Sequence, residues 1–513
     1  MKKILFLIFV LALVLRFLYF PQNIYFGYDQ AREAFSAVSI YKDFDLKIVG
    51  PSTEREGLFH GPLIWYLEAP FYLLGGGDPI YPAAFLLILN ALGVFVIFWI
   101  GKVLFDWRAG LVASLIYAFS FGQTQYAMFF TAPNPAVLAI MLFYGGLAIF
   151  IFKKDWRGIP LALFSWGIAV QSEFFLLYQG LILFAVCIAF RRRILENLSF
   201  KRISFAAGAF SLSFSTFILS DIKYGARTTR GLLAMVLDAF RGGQHAGNSL
   251  ALVVSKYFDG LAREFKDNIF SFGGEKLFFV LAIGLFLFVL IKSKKDFGKG
   301  IFLFIWFLSS SIVYIFGIPN LYYFNIGISP ALILIVAYFF SYVWGKVRLL
   351  GVALLTAILI SNVHMIEAQN PKGIINDIYV QEGMLLEREK KAIDYIYSEA
   401  GGQPISVGAL TMPLNINTTW AYLFSWYGKE KYGYLPYWTG EAALGYEGWD
   451  ALTRWKSQER AQHFSIIEPT RGVRQPFVDQ FLEAEAQYGE VVDERIWGMG
   501  EQARLVVQKR GNP

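Results

Sequence analysis

The sequence predicts an all-α polytopic membrane bundle of about eleven transmembrane helices, followed by a C-terminal extracytoplasmic α/β domain. Of its 513 residues, 56% are hydrophobic and 18% aromatic, whereas only 17% are charged; soluble domains average roughly 25% charged residues. The mean hydropathy is +0.47. This composition excludes a soluble enzyme and a disordered protein, and the single cysteine, Cys187, excludes a disulfide scaffold.

A change in net charge marks the one clear domain boundary. Residues 1–365 contain 31 Lys and Arg against 19 Asp and Glu, a net charge of +12, while residues 366–513 contain 15 against 20, a net charge of −5. The two values sum to the +7 of the whole chain. We therefore expect a transmembrane domain over residues 1–365 and a second domain over residues 366–513.

Eleven apolar runs approach the length of about 20 residues that a helix needs to cross a bilayer. The fifth and eighth runs are short, and the fifth is placed to form a hairpin with the sixth. The runs cover residues 4–20, 82–101, 109–126, 135–152, 159–172, 174–190, 203–220, 277–291, 301–318, 321–344 and 349–363.

The distribution of Lys and Arg predicts the orientation of these spans, because cytoplasmic loops carry an excess of both. With a cytoplasmic N-terminus, alternate loops should be basic. We thus expect a multi-pass protein of the plasma membrane with a retained first span, in which Arg16 reaches toward the outer interface. Six successive loops agree with this orientation, around residues 2–3, 102–108, 153–157, 191–202, 292–299 and 346–348.

Three outward segments, residues 21–81, 221–276 and 366–513, are too long to be simple connectors. The first two contain apolar stretches typical of interfacial helices. The third has the alternating pattern of a mixed α/β domain. Its expected elements are helices over 387–399 and 418–427 and strands over 405–410, 463–467 and 504–509.

The first outward segment begins with charged residues directly after the first span. Asp29, Arg32 and Glu33 are spaced at i, i+3 and i+4, so a helix would place all three on one face. A carboxylate at the membrane surface can act as general base for an acceptor hydroxyl or amine, so Asp29 is the candidate base and Arg32 and Glu33 are candidates for binding substrate. The alternative is a helix N-terminus, with Asp29 as its cap and the other two residues solvated.

His60 precedes a Gly-Pro turn and an aromatic stretch in the same segment. A histidine in this place could bind phosphate, a metal ion or substrate. Glu54 and Glu56 could form an oxygen and nitrogen metal site with His60 and Asp29. The spacing of these residues is not tight, so the choice between a divalent metal site and an ordinary interfacial histidine stays open.

Polar residues at the ends of several spans are further candidates for binding substrate. Gln171 and Glu173 lie at the hairpin between the fifth and sixth spans, where a buried carboxylate would need a partner. Asn134 begins the fourth span, and Tyr322 and Tyr323 begin the tenth. The alternatives are a solvated turn, a helix cap followed by proline, and an aromatic belt.

The second outward segment carries basic residues on the side that the orientation predicts to be poor in them. Arg227, Arg230 and Arg241 are among them, and Arg binds phosphate through two parallel hydrogen bonds. A phosphate-bearing lipid headgroup would account for these residues, as would attraction to anionic phospholipid. The sequence has no nucleotide-binding motif, and topology explains the basic loops without nucleic acid.

The order of these parts resembles the GT-C superfamily of polytopic glycosyltransferases, in particular the protein O-mannosyltransferases and lipid A aminoarabinose transferases. Members have an acidic residue just after the first span, as at Asp29, and a His-x-Pro element before an aromatic helix, as at His60-Gly61-Pro62. The stretch 101–113 and Asn134-Pro135 are further similarities. The layout is similar over residues 1–365, and the motifs fall within the first 175 residues.

The resemblance implies a polyprenyl-phosphate sugar donor used on the outer face of the membrane, with Asp29 in the position of the catalytic base. The acceptor would be a lipid, a glycan or a protein. Two departures from the family pattern are Gln30, where a second acid often follows, and Glu173, where relatives often have a histidine. With one base and no second nucleophile, we expect inversion at the sugar carbon.

Two other classes of protein stay open at the level of sequence. A transporter or flippase of lipid-linked glycans would also need a polar path through such a bundle, although internal repeats and paired interrupted helices are not detectable. A non-catalytic sugar-binding protein of the cell envelope would keep the fold without the chemistry.

Overall fold

The computed structural model describes residues 1–53, 55, 57–240, 250–293, 295–315, 325–344, 346–375, 381–456, 461–498, 500 and 502–511. These residues form two compact units. The first unit comprises Met1–Leu18, Leu46–Ile64 and Leu86–Ala368, and the second comprises Tyr19–Asp45, Trp65–Phe85 and Gln369–Pro513. The domain boundary expected after residue 365 stays a prediction, and the second unit differs from it by including two pieces of the first outward segment.

In the described part of the chain before residue 370, the regular elements are helices. Its helices are α1 (Lys2–Phe17), α2 (Tyr28–Lys42), α3 (Leu63–Leu74), α4 (Ile80–Ala91), α5 (Gly93–Leu104), α6 (Trp107–Phe119), α7 (Phe121–Met128), α8 (Pro133–Lys153), α9 (Gly158–Ser172), α10 (Gln179–Ala189), α11 (Arg191–Asn197), α12 (Phe200–Ser213), α13 (Ser215–Lys223), α14 (Arg227–Phe240), α15 (Leu250–Asn268), α16 (Glu275–Lys292), α17 (Phe297–Phe307), α18 (Ser311–Ile315), α19 (Ser329–Trp344) and α20 (Arg348–Gln369).

Four helical stretches in the described part of the chain are long and apolar enough to cross a membrane. Two bent helix pairs would raise the number to six, and four more apolar helices are shorter, with 10–17 residues. The expected count of eleven is therefore not confirmed. The four long stretches are Ile80–Leu104, Pro133–Lys153, Phe297–Tyr314 and Arg348–Lys372.

Breaks inside the apolar runs account for part of this difference. The run over residues 109–126 is divided at Ser120, whose hydroxyl accepts a hydrogen bond from the Gln123 backbone N–H (3.1 Å) and so caps a new helix, α7. The run over residues 203–220 is likewise split into α12 and α13, which are bent by 66°. Apolar composition alone does not reveal such breaks.

Small residues bring neighbouring helices of the first unit close together. A Cβ at Gly101 on α5 would lie 2.8 Å from the Cα of Gly110 on α6, and a Cβ at Gly146 on α8 would lie 2.6 Å from the carbonyl oxygen of Gly158 on α9. Helices in a membrane associate through close packing of this kind. The glycines of the stretch 101–113 therefore serve helix packing.

Arg16 lies inside the first unit, so the expectation that it reaches toward the interface is wrong. Its side chain is buried. The guanidinium donates hydrogen bonds to Asn90 Oδ1 (2.8 Å) and to the backbone carbonyls of Ala12 and Ala118 (both 3.2 Å). These acceptors replace water, which removes the physical reason for the side chain to extend toward the surface.

The second unit contains a mixed five-stranded sheet, which confirms the predicted α/β character of the C-terminal region. Strand β1 pairs in parallel with β2 and β3, while β3, β5 and β4 pair antiparallel, giving the order β2-β1-β3-β5-β4. The elements are α21 (Leu386–Ala400), β1 (Ile405–Leu410), α22 (Thr418–Leu423), α23 (Lys429–Tyr432), β2 (Tyr437–Trp438), β3 (Gln462–Ile467), α24 (Gln475–Ala486), β4 (Val491–Trp497) and β5 (Leu505–Arg510).

The chain just before α2 is held by backbone pairing within the second unit. The Phe26 N–H donates to the Met384 carbonyl (3.2 Å), and the Leu386 N–H donates to the Ile24 carbonyl (2.9 Å). On α2 itself, the ring of Phe35 meets Tyr422 on α22 edge to face, with 5.2 Å between the ring centres. The position of α2 is thus fixed at its start and along its side.

Two carboxyl groups of the second unit are buried beside each other. Neither oxygen of Glu389 on α21 has a hydrogen-bond partner among the described residues. Glu468, after β3, accepts hydrogen bonds from the Met412 N–H (2.7 Å) and the Trp420 indole (2.9 Å). Burial and the nearby charge of Glu468 raise the pKa of Glu389 well above its usual value, and burial raises the pKa of Glu468 to about 7.

Replacing Glu389 with Gln should stabilise the protein at high pH. A carboxyl whose pKa is raised by folding favours the folded state less and less as the pH rises above the unfolded pKa of about 4.3. We expect Glu389→Gln to raise the melting temperature of the full chain by about 2 °C or more at pH 8 and to leave it unchanged at pH 4. Glu387→Gln, on the exposed face of α21, is the control, and equal melting temperatures at pH 8 would contradict the burial argument.

Candidate functional site

Seven of the predicted site residues, together with three neighbours that were not predicted, fall into two groups that belong to different compact units. The Asp29 group, in the second unit, consists of Asp29, Arg32, Glu33, Trp65 and Glu68. The His60 group, in the first unit, consists of Phe59, His60, Gln171, Glu173 and Arg227.

Helix α2 starts with a cap in which Asp29 takes no part. The N-cap residue is Gly27, and its N–H donates to the side-chain oxygen of Gln30 (3.1 Å). The alternative that Asp29 serves as the helix cap is therefore wrong. Gln30, which departs from the family pattern, has a structural role at this position. A side chain at Gly27 would collide with the hydroxyl of Tyr25.

Asp29 and Glu33 are both paired with Arg32, and the three residues share one face of α2 as their spacing predicts. Arg32 Nη1 lies 2.8 Å from Asp29 Oδ1, and Arg32 Nη2 lies 2.6 Å from Glu33 Oε1. The guanidinium also lies over the ring of Tyr28, 5.4 Å from its centre. The side chain of Asp29 is 51% exposed, whereas those of Arg32 and Glu33 are largely buried. Asp29 is thus the accessible end of a buried ion-pair chain.

Trp65 completes the pairing of Glu33. Its indole N–H donates to Glu33 Oε2, while Arg32 occupies the other oxygen. Burial raises the pKa of Glu33, and the charge of Arg32 opposes this effect. A buried ion pair is favourable only when hydrogen bonds satisfy the remaining polar atoms, and Trp65 supplies such a bond.

Sequence reasoning missed Trp65 and Glu68, which both lie on α3. Glu68 is fully buried near Glu33, and neither of its oxygens has a partner among the described residues. Burial without a partner favours the neutral acid. One feature of the sequence could have identified them: Glu68 is the single acidic residue in an otherwise apolar helix. It follows Trp65 by three positions, so both side chains lie on one face of the helix.

The structure brings His60 and Glu173 together, although they are 113 positions apart in the sequence. His60 Nδ1 accepts a hydrogen bond from the Phe174 N–H (3.2 Å), and Glu173 Oε2 lies 3.4 Å from the same nitrogen. A nitrogen that accepts a hydrogen bond carries no proton, so the neutral ring has its hydrogen on Nε2. The Glu173 carboxylate is therefore a close neighbour of the His60 ring.

The element His60-Gly61-Pro62 is hydrogen-bonded to the hairpin that contains Gln171. The Gly61 N–H donates to the Gln171 carbonyl (2.9 Å), and a side chain at Gly61 would collide with the Gln171 side chain. The amide of Gln171 donates in turn to the Ser213 carbonyl (3.0 Å) and the Thr216 hydroxyl (2.5 Å). Glycine at position 61 is thus required by the close approach of these two segments.

Arg227 lies beside this element because its guanidinium stacks on Phe59, 4.0 Å from the ring centre. Helix α14 approaches closely, since a Cβ at Gly231 would lie 2.7 Å from a methyl of Leu58. Arg230 donates to the Tyr224 carbonyl (3.4 Å). Of these two arginines, Arg227 is therefore the one placed next to His60.

Asn134 is buried, and its amide donates to the carbonyls of Leu86 (3.2 Å) and Ala127 (2.9 Å). No group of three or more His, Cys, Asp or Glu that could hold a metal ion occurs within the described ranges. Four candidate residues and one possible metal ligand lie outside the described residues, namely Glu54, Tyr322, Tyr323, Arg241 and Glu56.

Residues 59–218 match the family model of dolichyl-phosphate-mannose-protein mannosyltransferases. The matched region contains His60, Asn134, Gln171 and Glu173. Together with the helical bundle and the small sheet, this match confirms the predicted resemblance to the GT-C type of polytopic membrane glycosyltransferase. No protein of curated function matches the chain in sequence.

Among solved structures, the fold is similar to that of ArnT from Cupriavidus metallidurans. The structure of ArnT bound to undecaprenyl phosphate has a TM-score of 0.63 at 13% identity and covers 98% of this chain and 97% of that one. Apo ArnT has a TM-score of 0.61 at 12% identity with the same coverage. The Archaeoglobus fulgidus oligosaccharyltransferase with Zn and sulfate has a TM-score of 0.50 at 13% identity, covering 95% and 71%. These likenesses concern the fold.

Removing Arg32 should strongly destabilise the second unit, because Glu33 would be left as a buried charge without a cation. We expect Arg32→Ala to lower the free energy of unfolding by roughly 3–5 kcal/mol. The double variant Arg32→Ala/Glu33→Gln should recover part of this loss, since it also removes the buried charge. Denaturation of the full chain in detergent measures both. Equal stability of the single and double variants would show that Glu33 does not depend on Arg32.

Proposed function

We propose that this protein is a glycosyltransferase that moves a sugar from a polyprenyl-phosphate donor to an acceptor on the outer face of the plasma membrane. The observation that carries the proposal is the accessible carboxylate of Asp29, held by a buried ion pair just after the first helix. The GT-C-like fold supports it, as does the undecaprenyl phosphate bound to ArnT, which has a similar fold. The orientation follows from the basic cytoplasmic loops expected from the sequence.

In this mechanism Asp29 acts as the general base. The acceptor hydroxyl or amine attacks the anomeric carbon of the donor sugar, and Asp29 takes the proton that this group loses. The bond between the anomeric carbon and the phosphate oxygen breaks, and its electron pair leaves with the lipid phosphate. Arg32 contacts Asp29 Oδ1 at 2.8 Å and holds the carboxylate in one position.

Arg227 and His60 are suited to bind the lipid phosphate. The guanidinium of Arg227 lies over the ring of Phe59, 4.0 Å from its centre, which limits its motion while its N–H groups stay able to donate. His60 has its Nδ1 occupied by the Phe174 backbone, so its Nε2 is the donor. Cationic and N–H groups stabilise the charge that develops on a leaving phosphate. In this proposal Arg32 and Glu33, first expected to bind substrate, position Asp29 instead.

A flippase of lipid-linked glycans is the second candidate, and the two bent helix pairs favour it. Phe174–Ala189 with Arg191–Asn197 is bent by 91°, and α12 with α13 by 66°. Interrupted helices are common in transporters. A flippase moves the lipid without breaking the bond between sugar and phosphate, so it has no need of a base.

Replacing Asp29 should abolish transfer. We expect Asp29→Asn to reduce the release of radiolabelled sugar from polyprenyl-phosphate donors by roughly 10²–10⁴-fold, because the amide cannot accept the acceptor's proton. The assay uses the purified full chain with a cell-envelope extract as the source of acceptor. Asp43→Asn, at the far end of α2, is the matched control. Undiminished transfer by Asp29→Asn would remove this residue from the mechanism, and lipid movement without sugar release would favour the flippase.

Replacing Arg227 should weaken binding of the lipid donor more than it slows the chemical step of sugar transfer. We expect Arg227→Gln to raise the KM for the lipid donor roughly tenfold or more, since a hydrogen bond to a charged phosphate is lost. Lys223→Gln, an exposed cation close by in the sequence, should leave the KM near its normal value. An unchanged KM in Arg227→Gln would exclude Arg227 from phosphate binding.

A further inference from the structure

A loop of the second unit, residues 440–455, presents large apolar side chains on the surface. Tyr446 is 39% exposed, Trp449 is 40% exposed and Leu444 is 75% exposed. Exposed groups of apolar side chains on a folded domain commonly mark binding sites. Loops held by a rigid scaffold are also the usual carriers of binding residues.

The loop is held at both ends by backbone hydrogen bonds. The Ala443 N–H donates to the Asn415 carbonyl (2.9 Å), and the Trp455 N–H donates to the Trp438 carbonyl (2.9 Å). Within the loop, the Trp449 N–H donates to the Tyr446 carbonyl (3.2 Å), which makes a turn that carries both exposed rings. The aromatic side chains are therefore mounted on an ordered turn.

The loop lies against α2, the helix that carries Asp29. Gly448, with a φ of +74°, packs so closely on Phe35 that any side chain there would collide with the ring. The ring of Tyr446 meets the ring of Tyr28 edge to face, with 6.1 Å between the ring centres. Glycine is thus needed at position 448 for both its backbone conformation and this contact.

Tyr28 connects the loop to the base. Arg32 lies over the Tyr28 ring and is ion-paired with Asp29. The Tyr446 ring is therefore connected to the accessible carboxylate of Asp29 through the Tyr28 ring and the Arg32 guanidinium. A molecule lying on these rings would come close to the carboxylate.

The charges of the loop limit the chemical classes of molecule that could bind there. Residues 440–455 contain three acids, Glu441, Glu447 and Asp450, against one basic residue, Arg454, which lies at the far end of the loop. The carboxylate of Glu447 is close enough to Tyr28 to act on it electrostatically. An anionic ligand would be repelled by these groups. A sugar ring matches them, because its C–H face stacks on aromatic rings and its hydroxyls donate to carboxylates.

We propose that Tyr28, Tyr446 and Trp449 form a binding platform for a sugar ring of a carbohydrate acceptor, with Glu447 accepting hydrogen bonds from its hydroxyls. This inference rests on the proposed function and commits its acceptor to the glycan class. Stacked on the platform, the acceptor has a hydroxyl near Asp29, which takes its proton during attack on the donor sugar.

Saccharide binding to the full chain in lipid nanodiscs tests the platform without requiring turnover. Saturation-transfer NMR would be recorded with trisaccharides of glucose, mannose, galactose and N-acetylglucosamine, with sorbitol as a non-ring control. We expect binding of at least one trisaccharide and none of sorbitol. Trp449→Ala and Tyr446→Ala should each weaken binding roughly two- to tenfold, and Trp449→Phe, which keeps an aromatic ring, should restore most of it.

Leu444→Ala is the matched control, because Leu444 is the most exposed apolar residue of the same loop but has no ring to stack. It should bind saccharides normally. The proposal is overturned if no trisaccharide binds, if Trp449→Ala binds as wild type does, or if Leu444→Ala weakens binding as much as Trp449→Ala, which would indicate contact with the bilayer.

The binding platform and the role of Asp29 as base can be rejected independently of each other. Asp29→Asn should bind saccharide as wild type does, since stacking does not involve the carboxylate. Saccharide binding that depends on Trp449, together with normal transfer by Asp29→Asn, would reject the base and keep the platform. Transfer that depends on Asp29, without saccharide binding, would reject the platform and keep the base.

Discussion

The hydrogen bond from the Trp65 indole to the Glu33 carboxylate is the contact on which the Asp29 group depends. A fully buried carboxylate is unfavourable unless a cation and further donors compensate it. Arg32 supplies the cation and Trp65 supplies the donor to the second oxygen. Because Arg32 is held in this way, its other nitrogen can keep Asp29 in one place at the accessible end of the pair. The position of the proposed base is thus set by residues that are largely buried.

Backbone contacts explain why this arrangement forms at the start of α2. Pairing of Phe26 with Met384 and of Ile24 with Leu386 fixes the approach to the helix. The cap made by Gln30 then satisfies the N–H of Gly27, so Asp29 is not needed as a cap and is available for the role proposed for it. Gln30 is therefore compatible with the proposed role of Asp29 as a base.

Much of this architecture could be predicted from the sequence. The composition predicted the helical bundle, and the pattern of the C-terminal region predicted α21, β1, β3 and β5 to within two residues, because each of them buries apolar side chains. The exposed, charged strand β4 gave no such signal and was missed. Breaks such as the one at Ser120 depend on a local cap inside an apolar run, so the number of spans was beyond prediction from hydropathy.

The site was predictable only in part. The spacing of Asp29, Arg32 and Glu33 predicted their common face, since i, i+3 and i+4 positions are neighbours on any helix. The contribution of Trp65 was not predictable, because it comes from a different helix, and the approach of His60 to Glu173 likewise requires the tertiary fold. Contacts between distant segments are where sequence reasoning was incomplete.

The most direct test of the central claim, that Asp29 acts as a base in a single displacement, is the anomeric configuration of the transferred sugar. NMR coupling constants of the anomeric proton would be compared between donor and isolated product. A single displacement assisted by one carboxylate predicts inversion, whereas a covalent sugar–enzyme intermediate gives retention. An inverted product would agree with Asp29 as the base. A retained configuration would contradict the account, because it requires a second nucleophile and two successive displacements.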